Sequence, residues 1–477
     1  MENDDDRFCE EVCCSCYDWD EDTVHVHRRG TEKTGEWEML PDVCLLHIFK
    51  YLSDVDRSKA ALVCHHWHSI MRLPCLWRCR SFYFTGRLSK FKQSEYLAAV
   101  GYVDNLGVFL ESLEVTVCPP RSIVLAQRLH ATLCGLLNAL VRVKAPLKSL
   151  SILRLELDRS SWGQGLRNVV VDKLIYFLMR GASRLTNISL NGIRIGAEPG
   201  LDLISAIIRS QRSLSPLCGL SSLDLRGFFS VTVPNDLNLR IPHILQQLQG
   251  LTHLGLSYSC LSDELLLALN QSSSARRSGY GGGGGNVLTR LSLYCTQNEP
   301  HQQALCGYSW AALVSSCPDL EVNLTVEQVI NTQQLAGILL PEIPLVAYNM
   351  TAFYSVDENW RAKPLLRNLL PCYRRSLQNL MLDLSNHNES LDDELLELID
   401  ACECLVDLRV WAFLDVQTVG RLLHIRLTKK MSLNTIRVRI YTMMENIEEQ
   451  EDQLKEILSP FCYPPELQFM AVVCPFI

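Results

Sequence analysis

Between Trp37 and Trp77 the apolar residues recur at helical spacing. Leu45, Ile48, Phe49 and Leu52 stand at i, i+3, i+4 and i+7, which places them on one stripe of a helix. Pro41 suits the first helical position, where its fixed φ fits and its missing N–H is not needed, and Asp42 favours the positive end of the helix dipole. Ser53 with Asp56 three residues on reads as a capping box. It opens a second helix through Ala60, Ala61, Leu62, Val63 and Trp67, and Pro74 ends that run. A unit of about forty residues is too small for a large private core, so it must pack against the rest of the chain or against a partner.

Beyond Trp77 the period changes. Residues 78–84 (RCRSFYF) alternate polar and apolar, the pattern of a strand. The template Leu-x-x-Leu-x-Leu, with Ile, Val or Met substituting, then recurs at Leu110-Leu113-Val115, Leu147-Leu150-Ile152, Leu185-Ile188-Leu190 and Leu220-Leu223-Leu225. It returns at Leu251-Leu254-Leu256, Leu288-Leu291-Leu293, Leu377-Leu380-Leu382, Leu405-Leu408-Val410 and Leu433-Ile436-Val438, with a weaker copy at Leu467-Met470-Val472. Two irregular units, around Leu320 to Val326 and Leu345 to Tyr348, fill the gap after Leu293. Successive starts lie about 28 to 38 residues apart.

The segments between the templates, such as 121–143, 169–183, 263–271 and 392–402, have apolar faces at helical spacing. A strand-helix unit of this kind cannot bury its apolar face alone, so neighbours stack. The expected fold class is α/β: a small all-helical unit, then an irregular leucine-rich-repeat-type solenoid, a horseshoe with strands on the concave side. The alternative is a less regular α/β repeat domain. The expected domains are an acidic disordered lead over 1–36, the helical unit and first strand over 37–84, and the solenoid over 85–477. A flexible Gly-rich loop (QSSSARRSGYGGGGGN, 271–286) interrupts the solenoid.

The helical unit also carries a resemblance. The order Leu40-Pro41, Ile48-Phe49, Leu52, Asp56, Val63-Cys64, Trp67 and Trp77 resembles the F-box motif along its whole length. Stretches such as 56–67, 148–162, 260–266, 387–395 and 410–416 look, more narrowly, like the F-box only branch of that family. The resemblance implies a unit that docks a Skp-type adaptor and, through it, a cullin and a RING protein. The repeat domain would then hold an unknown protein target for ubiquitination. Leu40, Pro41, Leu45, Ile48, Phe49, Leu52, Val63, Cys64 and Trp67 are the residues expected to be divided between adaptor contact and the unit's own packing. A scaffold that binds the adaptor without delivering a substrate is the alternative. A third reading is a repeat-based binding protein with an unrelated helical hairpin.

Composition narrows the function classes. Lys and Arg number 45 against 53 Asp and Glu, a net charge of −8, with no long basic cluster, so nucleic acid is not the expected ligand. No run of eighteen uncharged apolar residues suggests a membrane span. The acidic start lacks the order of a secretory signal, and 20 cysteines without such a signal read as reduced thiols; cytosol or nucleus is the expected compartment.

Reactive chemistry is not expected. Cys13 and Cys16 have C-x-x-C spacing, with Cys9, Cys14, His25 and His27 nearby, but there is no second pair and incidental thiols in a tail are the preferred reading. Neither a RING spacing nor a nucleophile elbow, H-E-x-x-H or Walker loop occurs, and the triplet 163–165 (GQG) lacks the third glycine of a dinucleotide fingerprint. We expect no enzymatic activity, no metal and no cofactor. Cys474 closes a formal C-a-a-X box, yet the apolar segment it ends fits a final strand better. Candidate target contacts are polar residues between repeat anchors, for example Arg154, Asp224, Arg290 and Arg409, although solvated strand-face residues would look the same.

Overall fold

The computed structural model of the chain describes residue 37 and residues 40–52, 54–87, 94–181, 184–212, 219–230, 235–248, 250–277, 287–299, 305–353, 360–429, 432–461 and 464–476. The acidic lead with its Cys and His residues, Ser53 of the expected capping box, and residues 278–286 of the Gly-rich stretch lie outside the described residues.

The helical unit consists of α1 (Asp42–Phe49), α2 (Asp54–Ala60) and α3 (His65–Met71). Pro41, with φ −58° and ψ 145°, stands just before α1 rather than inside it, and Asp42 opens the helix. The single helix expected from Ser53 to Trp67 is two. Cys64 is extended (φ −156°, ψ 166°), and its Sγ accepts from the Trp67 N–H (3.5 Å), which starts α3 afresh. The break has a packing reason. On one straight helix Ala61 and Trp67 would point well apart, about 240° around the axis at ~100° per residue. Broken, the chain brings both onto a shared core of Leu45, Phe49, Ala60, Ile70, Met71, Leu76 and Trp77.

That core is not closed by the three helices alone. Tyr102 and Leu106 of α4 (Glu95–Leu106) pack against it, and the Tyr102 ring meets those of Trp77 (6.5 Å) and Phe82 (5.8 Å). The unit thus leans on its own chain, as its size requires.

Two compact units divide the chain, Met1–Gly219 and Leu220–Ile477. In the first, β1 (Cys79–Phe84), β2 (Ser112–Val117), β3 (Ser149–Leu153) and β4 (Asn187–Ser189) pair in that order, all parallel. Helices α4, α5 (Ile123–Val143) and α6 (Gly163–Gly181) make the crossovers, and α7 (Ala197–Arg212) follows β4. Repeat anchors stack in register, Leu113 beside Leu150 beside Ile188. Helix α5 is long and apolar enough to cross a bilayer, but nine of its 21 residues are buried, as suits a core helix between α4 and α6. Gly86 has φ +70°, and a Cβ there would sit 2.9 Å from the Leu125 carbonyl oxygen, so only glycine lets the chain leave β1 this close to α5.

The second unit repeats the pattern. Strands β5 (Ser222–Leu225), β6 (His253–Ser257), β7 (Arg290–Thr296), β8 (Glu321–Glu327), β9 (Leu345–Ala352), β10 (Asn379–Leu384), β11 (Asp407–Ala412), β12 (Thr435–Thr442) and β13 (Gln468–Pro475) are parallel neighbours in chain order. Between them run α8 (Asn235–Leu245), α9 (Asp263–Arg277), α10 (Gly307–Ser316), α11 (Thr332–Ile338), α12 (Asp392–Ala401), α13 (Val416–Thr428) and α14 (Ile447–Leu458). Helix α9 carries on through the first seven residues, 271–277, of the stretch expected to be a loop. Leu223, Leu254, Leu291 and Val322 form one ladder, and Leu380, Leu408 and Ile436 another, each at most 1% exposed.

Two strands depart from the template. In β9 the pairing jumps from Val322–Leu345 to Asn323–Ala347, leaving Val346 as an extra residue, so Leu345 and Tyr348 both face inward. In β13 the anchors are not Met470 and Val472. Ile436 pairs with Phe469, Val438 with Ala471 and Ile440 with Val473, while Met470 is 39% exposed. A one-residue slip exchanges the faces of a strand, and both faces of this segment are apolar enough to hide the choice from the sequence. Cys474 lies inside β13, half-buried, beside Tyr441.

Candidate protein-docking site

The helical unit sorts its apolar residues into two populations. Leu45 and Phe49 are 0% and 1% exposed and belong to the core, with the Phe49 ring edge-on to Trp67 at 5.0 Å. Leu40, Leu52 and Trp67 are partly buried against the same core, and Cys64 is half-buried as the cap of α3. Of the expected docking residues only Pro41, Ile48 and Val63 are exposed. Sequence reasoning missed the most exposed ones: Val43 and Tyr51 at 78%, Leu62 at 84%.

Helical geometry groups them. At ~100° per residue, Val43, Cys44, His47, Ile48 and Tyr51 fall within an arc of about 140°, opposite Leu45 and Phe49. The His47 and Tyr51 rings touch edge-on at 5.3 Å. Leu62 and Val63 project from the turn between α2 and α3. With Tyr102 and Leu106 of α4 closing the core, these side chains are not needed for packing, and large apolar groups exposed together are the pattern that accompanies interaction sites.

Polar contacts fix the shape of that surface. Arg57 of α2 donates to three carbonyls, Phe49 O (3.1 Å), Lys50 O (3.1 Å) and Leu76 O (2.9 Å), and its guanidinium lies 5.7 Å from the Trp77 ring centre. It therefore closes the carboxyl end of α1, where orphan carbonyls need donors, and pins the chain at Leu76. His66 Nε2 and Asp42 Oδ1 are 2.7 Å apart, tying α3 to the start of α1. The Trp77 indole donates to Met71 O at 2.7 Å. None of these partners is legible from the motif, because most acceptors are main-chain carbonyls.

Of the four expected target contacts, Arg154 belongs to the first unit and Asp224, Arg290 and Arg409 to the second. Arg154 lies just past β3, exposed, with a left-handed φ of +58°. Asp224 accepts two bonds from the Arg226 guanidinium, both at 2.9 Å, and one from its backbone N–H at 3.2 Å. Arg290 pairs with Glu321 on the next strand at 3.1 Å, and Arg409 with Asp407 on its own strand at 2.7 Å. Three of the four are thus engaged within the protein. Among the described residues no group of three or more His, Cys, Asp or Glu could hold a metal ion. Cys402 is buried, and the exposed Cys404 donates to Arg375 O at 3.3 Å.

A three-helix unit with exposed apolar residues leads into parallel strand-helix repeats, an α/β repeat fold of the leucine-rich type. A family model described as F-box-like matches residues 37–83. The chain is 24% identical over 291 residues to F-box/LRR-repeat protein 21 of Ovis aries, covering 60% of this chain and 59% of that protein. To the Mus musculus protein of the same name it is 24% identical over 314 residues, 65% of this chain and 64% of that one. The chain spans about three fifths of the length of these curated relatives. Among solved structures, the yeast Rad7 and Elc1 complex covers 79% of this chain and 89% of its own, at 12% identity and a TM-score of 0.34, too loose a likeness to carry weight here.

Proposed function

We propose that this chain is a substrate-recognition subunit of an SCF-type ubiquitin ligase: its F-box-like unit docks a Skp-type adaptor, and its repeats hold a protein target. The observation that carries the reading is the outward apolar face of α1 with Leu62 and Val63, on a unit whose own core is already filled. The occupant is a protein, because a patch of this kind rimmed by polar residues suits a protein interface. The chain would contribute proximity, holding target lysine and charged enzyme together, rather than acid or base chemistry. No enzymatic activity, metal or cofactor is proposed for it, and cytosol or nucleus is the proposed compartment.

The test is co-purification from cells of tagged wild type and of a Leu62→Asp/Val63→Asp double variant, read by mass spectrometry. Wild type should bring down adaptor, cullin and RING protein; the variant should lose all three while keeping, and accumulating, its target. A Leu40→Ala/Pro41→Ala variant should likewise lose the adaptor, and unchanged co-purification would count against the reading. Retention of adaptor by the double variant, or its absence from both samples, would sink the reading. Adaptor without cullin, and no F-box-dependent ubiquitination, would instead favour a scaffold.

A further inference from the structure

The outward face of the last strands of the second unit carries charges in an arrangement that costs stability. In register across β10, β11, β12 and β13 lie Met381, Arg409, Arg437 and Met470; the next outward row is Asp383, Trp411, Arg439 and Val472. Arg409 and Arg437 are direct cross-strand neighbours, where like charges repel. Arg409 is offset by Asp407, and Arg439 lies over the Trp411 ring at 4.5 Å with the Asp383 carboxylate nearby. Arg437 is exposed, and no carboxylate among the described residues pairs with it.

We infer that Arg437, with Arg409 and Arg439 beside it, is a docking strip for an acidic segment of polypeptide. Apolar side chains flank the strip, Met381 on one side, the exposed Met470 on the other, and Trp411 in the row beyond. An extended peptide carrying carboxylates with apolar residues between them matches this alternation. Nucleic acid fits less well: the strip is three arginines long and bordered by Asp407 and Asp383, in a chain of net charge −8. The proposal gives the chemistry of the target and so rests on the substrate-receptor reading above.

The experiment measures fluorescence anisotropy of the purified full chain with a labelled peptide of Glu, Ser and Val. Its Lys-for-Glu counterpart and a single-stranded oligonucleotide are the comparison probes. The acidic peptide should bind with an affinity that falls as salt rises. Arg437→Gln should weaken it about tenfold and Arg437→Glu further. Arg437→Glu should melt no lower than wild type, because it converts repulsion from Arg409 into attraction, which separates lost binding from lost folding. No binding of the acidic peptide, equal binding by Arg437→Glu, equal affinity for the Lys peptide, or tighter binding of the oligonucleotide would each overturn the proposal. Adaptor co-purification by the same variants reads the other claim separately: adaptor absent with peptide binding intact defeats the receptor reading alone.

Discussion

The F-box-like unit and the repeats of the second unit use leucines and valines for opposite ends. In the repeats nearly every anchor is turned inward and stacked on its neighbour, and the outward strand faces are polar with many paired charges. In the F-box-like unit a handful of anchors suffices, and residues of the same type are left in solvent. Burying a Leu or Phe side chain is worth roughly 1.5–3 kcal/mol. A repeat that left its anchors exposed would lose its fold. On the reading proposed above, a helical unit that keeps several outside holds that free energy for a partner.

Substitutions can break this contrast, beginning with the largest effect. Phe49→Ala removes a ring buried among Leu45, Ile70 and Trp67 and should cost about 3–5 kcal/mol, seen as a lowered denaturation midpoint and loss of adaptor binding together. Leu408→Ala, in the middle of a ladder between Leu380 and Ile436, should cost about 2–5 kcal/mol yet leave adaptor binding intact at temperatures where the fold persists. Arg57→Ala leaves three carbonyls without their donor; a loss of about 2–3 kcal/mol is expected by denaturant melting, with weakened adaptor binding because α1 loses its stop.

The pH dependence sharpens the contrast on the repeat side. Burial holds the Asp383 carboxyl above its ordinary value, against the hydrogen bond from Tyr441 and the charge of Arg439, which pull it down. The folded state then keeps this proton more readily than the unfolded chain. Stability should fall as pH rises from the ordinary aspartate value of 3.8 through the raised one. Asp383→Asn should remove that part of the slope and melt no lower than wild type near neutrality, checked by melting at both ends of the window. The smallest stability effect belongs to the outward face: Leu62→Ser should change stability by no more than about 0.5 kcal/mol while lowering adaptor affinity at least tenfold.

Much of the fold was legible in the sequence because burial repeats. Leu-x-x-Leu-x-Leu marks two inward positions per strand, and the helices between carry their own period, so both strand order and crossovers followed. The helical unit was legible as a unit, but which of its apolar residues face outward was not. Leu45 and Ile48 look equivalent on a stripe, and only the packing of α3 decides that one is core and the other outside. The α2–α3 break was hidden because its signal is a cysteine acting as a cap, a role usually taken by Ser, Thr, Asp or Asn. Arg57 left no trace at all, since its acceptors are carbonyls that every residue possesses. The strip around Arg437 needed the register of β11 on β12, which the period alone does not give.

The extra residue at Val346 has a consequence for how the ladder tolerates unequal repeats. Strand β9 carries one residue more than β8 at this point and still presents Tyr348 and Met350 inward, in register with Leu380 and Leu382 of the next strand. An insertion or deletion elsewhere in a ladder would turn every later side chain of that strand inside out. Here the error is spent within a single residue, so the array can inherit repeats of unequal length without losing the alignment of those that follow.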